Sequence, residues 1–197
     1  MTWEKTTDEL YNRYLKKFPK LVEYRNYPQE LKLGVPQNFN NVLKFYRTIA
    51  GERDDTEEKL TILDFKEEDL RHAAEAKALI PIVAILHTEI VGSIVLLKEA
   101  HVEEFGEIHP QMIWVAVLKQ YRGQNIATCL YLAAFKYAEE VLQDIDVYAA
   151  LMPTQVEFFR FLFNAEVRTQ MTGKMRTGNL VRVRIPAAPY IAKIATR

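Results

Sequence analysis

The residues best suited to chemistry lie between Trp114 and Leu130. Met112 to Leu118 is almost wholly apolar and reads as a strand buried on both faces. It feeds a polar loop, Lys119-Gln120-Tyr121-Arg122-Gly123-Gln124-Asn125. A helical pattern follows from Ile126 to Leu142, with Ile126, Cys129, Leu130, Ala133, Tyr137 and Val141 on its core side. A strand entering a helix through a short loop aims several free backbone N–H groups at one point. The helix start adds partial positive charge, so the joint suits an anion such as a diphosphate. Close approach needs small side chains or left-handed backbone in the loop. Gly123 and Ala127 are small, and Asn125 tolerates the left-handed region well. Many α/β proteins carry such a joint with no ligand, so the loop alone leaves both readings open.

Other reactive side chains have simpler readings. Cys129 falls on the apolar face of its helix and reads as a small buried hydrophobe. It is the single cysteine, which excludes an intramolecular disulfide and a cysteine-based zinc site. His72, His87 and His101 show no metal spacing, so no metal is expected. Glu99, Glu103, Glu104 and Glu107 form an acidic cluster that reads as a solvated turn, or as an attractor for a cationic amine. Lys plus Arg and Asp plus Glu both number 26, so no basic excess points to nucleic acid, although Arg182 and Arg184 form one local basic pair. The start, Met1-Thr2-Trp3-Glu4-Lys5, lacks a secretion signal's apolar run. The longest apolar stretch, Ala78 to Leu86, is too short for a membrane span and contains Pro81. A cytoplasmic protein fits these features.

The positioning elements follow from periodicity. From Leu60 to Phe65 the chain reads as a strand, from Glu67 to Leu79 as a helix. Pro81 to His87 and Ile90 to Leu97 read as strands joined near Thr88-Glu89. Beyond the central helix come a strand at Val147 to Leu151 and a helix at Thr154 to Phe163. Val167 to Met175 and Leu180 to Ile185 are strands turning at Thr177-Gly178-Asn179. The sum is an α/β fold: a mixed sheet of about seven strands flanked by helices. Seven of the eight residues from Glu52 to Lys59 are charged, which marks an exposed connection. Residues 1–59 therefore read as a helical N-terminal extension with that connection, and 60–197 as the main domain. In the extension, Thr6 and Glu9 form a capping box for a helix ending near Phe18. A second helix covers Phe39 to Ile49, with Phe39, Val42, Leu43, Tyr46 and Ile49 on one face. Those faces need a partner, either the main domain or a second subunit.

The turn Arg122-Gly123-Gln124-Asn125-Ile126-Ala127 resembles the cofactor loop of the GNAT superfamily of acyl-CoA N-acyltransferases, whose pattern is Gln/Arg-x-x-Gly-x-Gly/Ala. Arg122 and Ala127 fit, and Asn125 stands where the family usually has glycine. The order of elements from Leu60 to Ile185 is similar to the family fold throughout. The resemblance implies a mostly antiparallel GNAT-like sheet, with acetyl-CoA as cosubstrate and a primary amine as acceptor, on a small molecule or a protein. It implies that Val115, Ala116 and Val117 offer backbone to the pantetheine arm. Arg122, Gly123, Gln124, Asn125, Ile126 and Ala127 would then face the diphosphate.

The resemblance also locates acid–base candidates. Relatives that use a glutamate base carry it where this chain has Gln111, which cannot titrate. His109 and Glu107 would share its face if the strand extends backwards. A water chain with no dedicated base is the other reading. The tyrosine acid of many relatives aligns with Phe159, beside the cofactor, which has no proton to give. Thiolate departure without an acid, an acid elsewhere such as Tyr148, or loss of catalysis would each accommodate it. The resemblance thus implies N-acetyl transfer by direct attack in a ternary complex. The alternative is a catalytically inactive acyl-CoA-binding or protein-interaction module.

Overall fold

The computed structural model describes residues 1–52, 61–102, 107–143, 146–171 and 180–186. Eight strands form one sheet: β1 (Trp3–Thr6), β2 (Lys32–Val35), β3 (Leu79–Leu86), β4 (Glu89–Val102), β5 (Glu107–Val117), β6 (Asp146–Leu151), β7 (Glu166–Met171) and β8 (Leu180–Pro186). Their spatial order is β1-β2-β3-β4-β5-β6-β8-β7. Every neighbouring pair is antiparallel except β5 with β6. The helices are α1 (Thr7–Tyr14), α2 (Phe39–Gly51), α3 (Glu67–Glu75), α4 (Ile126–Tyr137) and α5 (Pro153–Phe163). The mixed, mostly antiparallel sheet flanked by helices is the one that the sequence predicts.

Local chemistry starts these elements. Thr6 caps α1, its hydroxyl accepting the Glu9 N–H at 3.3 Å. Asn38 does the same for α2 through the Asn40 N–H at 2.9 Å. Between β3 and β4 the chain reverses at His87 and Thr88, both with positive φ, as a tight hairpin requires. Ten of the twelve α4 residues are buried. α4 is therefore a core helix enclosed almost all round.

Two expectations need correction. Residues 61–64 form a 3-10 turn rather than the interior of a strand over Leu60–Phe65. Ile62 is buried there, but Leu63 and Phe65 are exposed, so the segment offers no face to a sheet. The N-terminal extension is not purely helical either. It contributes β1 and β2, which continue the sheet beyond β3. A side chain at Gly34 would press on the Trp3 carbonyl, with its Cβ 2.2 Å away, and only glycine lets β1 lie that close. The turn at Thr177-Gly178-Asn179, residues 53–60 of the charged connection, and Glu103 and Glu104 lie outside the described residues.

The first 27 residues pack on α4 and α5. Tyr14 and Phe18 meet Phe135, at ring-centre distances of 6.0 and 6.1 Å, and Phe18 meets Phe163 at 5.5 Å. At the far end of α4, Trp3 donates to Glu140 at 3.0 Å. Lys5 pairs with Glu140 at 3.3 Å, and Arg13 with Glu139. Exposed pairs of this kind add little, so the aromatic faces carry most of the docking.

Lys17 sits half-buried beside this interface. Burial lowers its ammonium pKa to about 8, against the opposing pull of Asp146 and Glu139. The unfolded chain, near 10.5, holds the proton more tightly. Between these values stability rises with pH on Lys17's account. Lys17→Met should therefore exceed the wild type most clearly below pH 8. That margin should shrink as pH rises from about 8 toward 10.5. Paired denaturant melts across that range measure the difference directly, and a margin that widens would refute the assignment.

Candidate active site

β5 and β6 lie side by side and parallel, yet they pair only at Gln111 with Tyr148 and Met112 with Ala149. Beyond Met112 the strands continue without pairing, β5 to Val117 and β6 to Leu151. Unpaired sheet edges facing one another leave backbone N–H and C=O groups open to a ligand chain. This gap leads toward the turn that opens α4.

A bulge aims the backbone at the mouth of the gap. On β4, Ser93 pairs with Ala116 and Val95 with Ile113, so Trp114 and Val115 together oppose Ile94. Trp114 adopts φ 51°, a left-handed conformation unusual for a bulky side chain. Its carbonyl accepts the hydroxyl of buried Tyr46, and its ring lies edge-on to Phe65 at 5.5 Å. Burial pushes the Tyr46 phenol above its ordinary range, opposed by a contact with Ser93. Tyr46→Phe should lower stability by about 1 kcal/mol, the net worth of a buried hydrogen bond. Urea denaturation measures this, and an unchanged midpoint would show that the bulge does not need the hydroxyl.

After β5 the chain makes a short 3-10 turn, Lys119–Tyr121. Arg122 is exposed and folds back, its Nε donating to the Val117 carbonyl at 3.2 Å. Gly123 has φ 78° and Asn125 φ 53°, so both left-handed positions fall on residues suited to them. Asn125 is the N-cap of α4, but its side chain makes no cap bond. The first helical intrachain bond runs from the Cys129 N–H to the Asn125 carbonyl, at 3.1 Å. The N–H groups of Ile126, Ala127 and Thr128 thus have no acceptor within the helix. An uncapped helix start, preceded by two left-handed residues, can hold a phosphate oxygen cluster.

The named candidates fall in four places. Val115 and Val117 are half-buried and Ala116 buried, all on the bulged part of β5. Arg122 to Ala127 form the turn and the first turn of α4. His109 and Gln111 lie upstream on β5, which does extend backwards, to Glu107, paired with Val102. The His109 ring stacks on Tyr148 at 5.3 Å, and Gln111 is buried beside the same strand. These residues occupy the closed end of the gap, where the two strands still pair. Phe159 is enclosed on α5 by Tyr131, Phe158 and Phe163 at 4.9, 5.7 and 5.5 Å. Cys129 is buried, and its thiol pKa is pushed up to about 12 by burial, which leaves it unreactive at neutral pH.

Sequence reasoning missed the bulge, Tyr46 beneath it, and the contact between the turn and Asn26, whose carbonyl accepts the Asn125 side chain at 3.3 Å. Each depends on partners distant in the chain. A cleft of about 650 Å³ also lies between the β1–β2 edge and helices α2 and α3, lined by Trp3, Asn38, Asn40, Arg71 and Tyr137 among others. None of its lining residues belongs to β5 or the turn. Among the described residues, no cluster of His, Cys, Asp or Glu could hold a metal ion, and no helix is long and apolar enough to cross a membrane.

A family model described as "Acetyltransferase (GNAT) family" matches residues 39–161. No curated protein matches by sequence. Among solved structures, the chain is similar to a spermidine N-acetyltransferase variant from Vibrio cholerae, with TM-score 0.61 and 12% identity over 84% of this chain and 98% of that one. It is similar to an N-acyl amino acid synthase from uncultured soil microbes, with TM-score 0.59 and 10% identity over 80% and 91%. It is also similar to an aminoglycoside 6'-N-acetyltransferase complexed with coenzyme A, with TM-score 0.55 and 13% identity over 80% and 97%. At such identities the likeness is one of fold.

Proposed function

Because this chain belongs to the GNAT family of acetyltransferases, we propose that it transfers an acetyl group from acetyl-CoA to a primary amine by direct attack in a ternary complex. The observation that carries the reading is the gap between β5 and β6, bulged at Trp114–Val115 and ending at the uncapped start of α4. Acetyl-CoA supplies the activated acyl group. The α4 start and the left-handed turn suit its diphosphate. The free edge of β5, at Val115, Ala116 and Val117, suits the amides of a pantetheine arm. In this reading backbone N–H groups at the bulge stabilise the oxyanion that forms when nitrogen adds to the thioester carbonyl.

In the reaction a C–N bond forms and the C–S bond breaks; of the two protons that nitrogen loses, the one shed after addition goes to the departing coenzyme A thiolate, and the one that converts the ammonium to the attacking amine goes to a base. His109 is the proposed acceptor of that proton, with Glu107 the other candidate. The reference pKa of histidine lies near neutrality, and Tyr148 fixes the ring. The acceptor amine belongs to a small molecule or a protein. Spermidine and aminoglycosides, named for two structural neighbours, are the first amines to try.

The burial of Phe159 among aromatic rings favours a second reading, an acyl-CoA-binding module without turnover. The aligned position offers no hydroxyl to the leaving thiolate. One pair of measurements decides. Acetyl-CoA should raise the melting temperature by mass action, and a panel of amines should release free thiol. Stabilisation without thiol release selects the binding module, and no stabilisation at millimolar acetyl-CoA rejects both readings.

A further inference from the structure

The segment after α1 runs across α5 and on to the phosphate turn. Leu21 is fully buried, Lys20 lies over the Phe161 ring at 4.9 Å, and the Tyr24 ring meets Phe158 edge-on at 5.9 Å. Tyr24 accepts the Tyr11 hydroxyl through its carbonyl. Two residues later the Asn26 carbonyl accepts the Asn125 side chain at 3.3 Å. Tyr27 then packs on Tyr11 at 4.7 Å and donates to Asp8 at 2.6 Å. Residues 24–27 are thus fixed between α5 and the N-cap of α4.

Arg25 lies between the two anchors, next in the chain to the residue that touches the turn. It is exposed, and its Nη2 donates to the neutral Asn12 carboxamide oxygen at 3.2 Å. No carboxylate forms an ion pair with it among the described residues, and Asp8, the acceptor of the Tyr27 hydroxyl, is the acidic group nearby. The Asn125 amide makes this link, which a glycine at that position could not make. An arginine one residue from that link, held only by a neutral side chain, can turn a planar donor fork toward a phosphate bound at the turn.

We propose that Arg25 is a phosphate ligand of the acyl-CoA cosubstrate, brought to the Arg122–Ala127 turn by the Asn26–Asn125 link. This rests on the acyl-CoA reading of the turn. The N-terminal segment is then a wall of the cosubstrate site as well as a support for the fold.

Calorimetry with coenzyme A and with dephospho-coenzyme A tests it on the full chain. Arg25→Ala should weaken coenzyme A binding about tenfold and flatten its salt dependence, while Arg25→Lys recovers part of the loss. Loss with both ligands assigns the contact to the diphosphate, and loss with coenzyme A alone assigns it to the 3'-phosphate. Either outcome supports the proposal. Asn125→Gly, which keeps the left-handed backbone and removes the link, should weaken binding in the same direction and serves if Arg25→Ala does not fold. Unchanged or tighter binding by Arg25→Ala, with the wild type binding normally, overturns the role of Arg25 alone. No binding by the wild type removes the acyl-CoA reading, and this proposal with it.

Discussion

Phe18→Ala should destabilise the protein by about 3–5 kcal/mol, the usual cost of truncating a buried phenylalanine. Phe18 is 1% exposed and touches rings from three elements: Tyr14 of α1, Phe135 of α4 and Phe163 of α5. Those rings are held by the sheet and by one another, so they cannot collapse into the space left. The cost would be a large part of the roughly 5–15 kcal/mol that stabilises an ordinary domain. Equilibrium unfolding in urea measures it. A loss below about 1 kcal/mol would mean that the N-terminal segment is an appendage rather than part of the core.

Gly123→Pro should weaken coenzyme A binding about 100-fold, equivalent to losing roughly 2.7 kcal/mol of charge-assisted contacts from backbone amides. Proline fixes φ near −65° and has no N–H, whereas Gly123 has φ 78°. The turn cannot keep its shape with that substitution. Arg122 already has the extended backbone that a following proline demands. No atom lies within 4 Å of a Cβ built at Gly123, so crowding is not the cause of the loss. Gly123→Ala should fall between the two, since a left-handed alanine costs about 1–2 kcal/mol. Calorimetry on all three proteins orders them. Coenzyme A binding by Gly123→Pro at wild-type strength would show that the phosphates lie elsewhere.

Much of the architecture could be read from local signals. The Thr6 cap of α1, the apolar face of α2 and the strand before the turn all depend on neighbours a few residues apart, although that strand is half-buried at Ile113, Trp114, Val115 and Val117 rather than buried on both faces. Asn125 was legible for the same reason, because its left-handed tolerance is its own property. β1 and β2 were not legible. Each is four residues long, neither shows a full alternation, and Gly34 interrupts the second. Only pairing with β3 makes them strands. The strand reading of Leu60–Phe65 erred in the opposite direction, since residues 61–64 form a 3-10 turn that no described strand pairs with. For the site, nothing in the residue type of Trp114 announces a positive φ. The bulge comes from the register of β4 against β5. The Asn26–Asn125 contact joins residues 99 apart, beyond the reach of any local pattern.

The docking of α1 on α4 also bears on how the chain acquires its shape as it is made. Trp3 reaches its partner Glu140 across 137 residues, and Arg13 reaches Glu139 across 126. The aromatic side of α1 therefore leaves the ribosome long before Phe135 and Phe163 exist to cover it. Contacts of such span form slowly, because the loop must close before the packing gain arrives. During that interval the nascent chain displays Tyr11, Tyr14 and Phe18 to its surroundings, an opening for chaperones and a hazard for self-association.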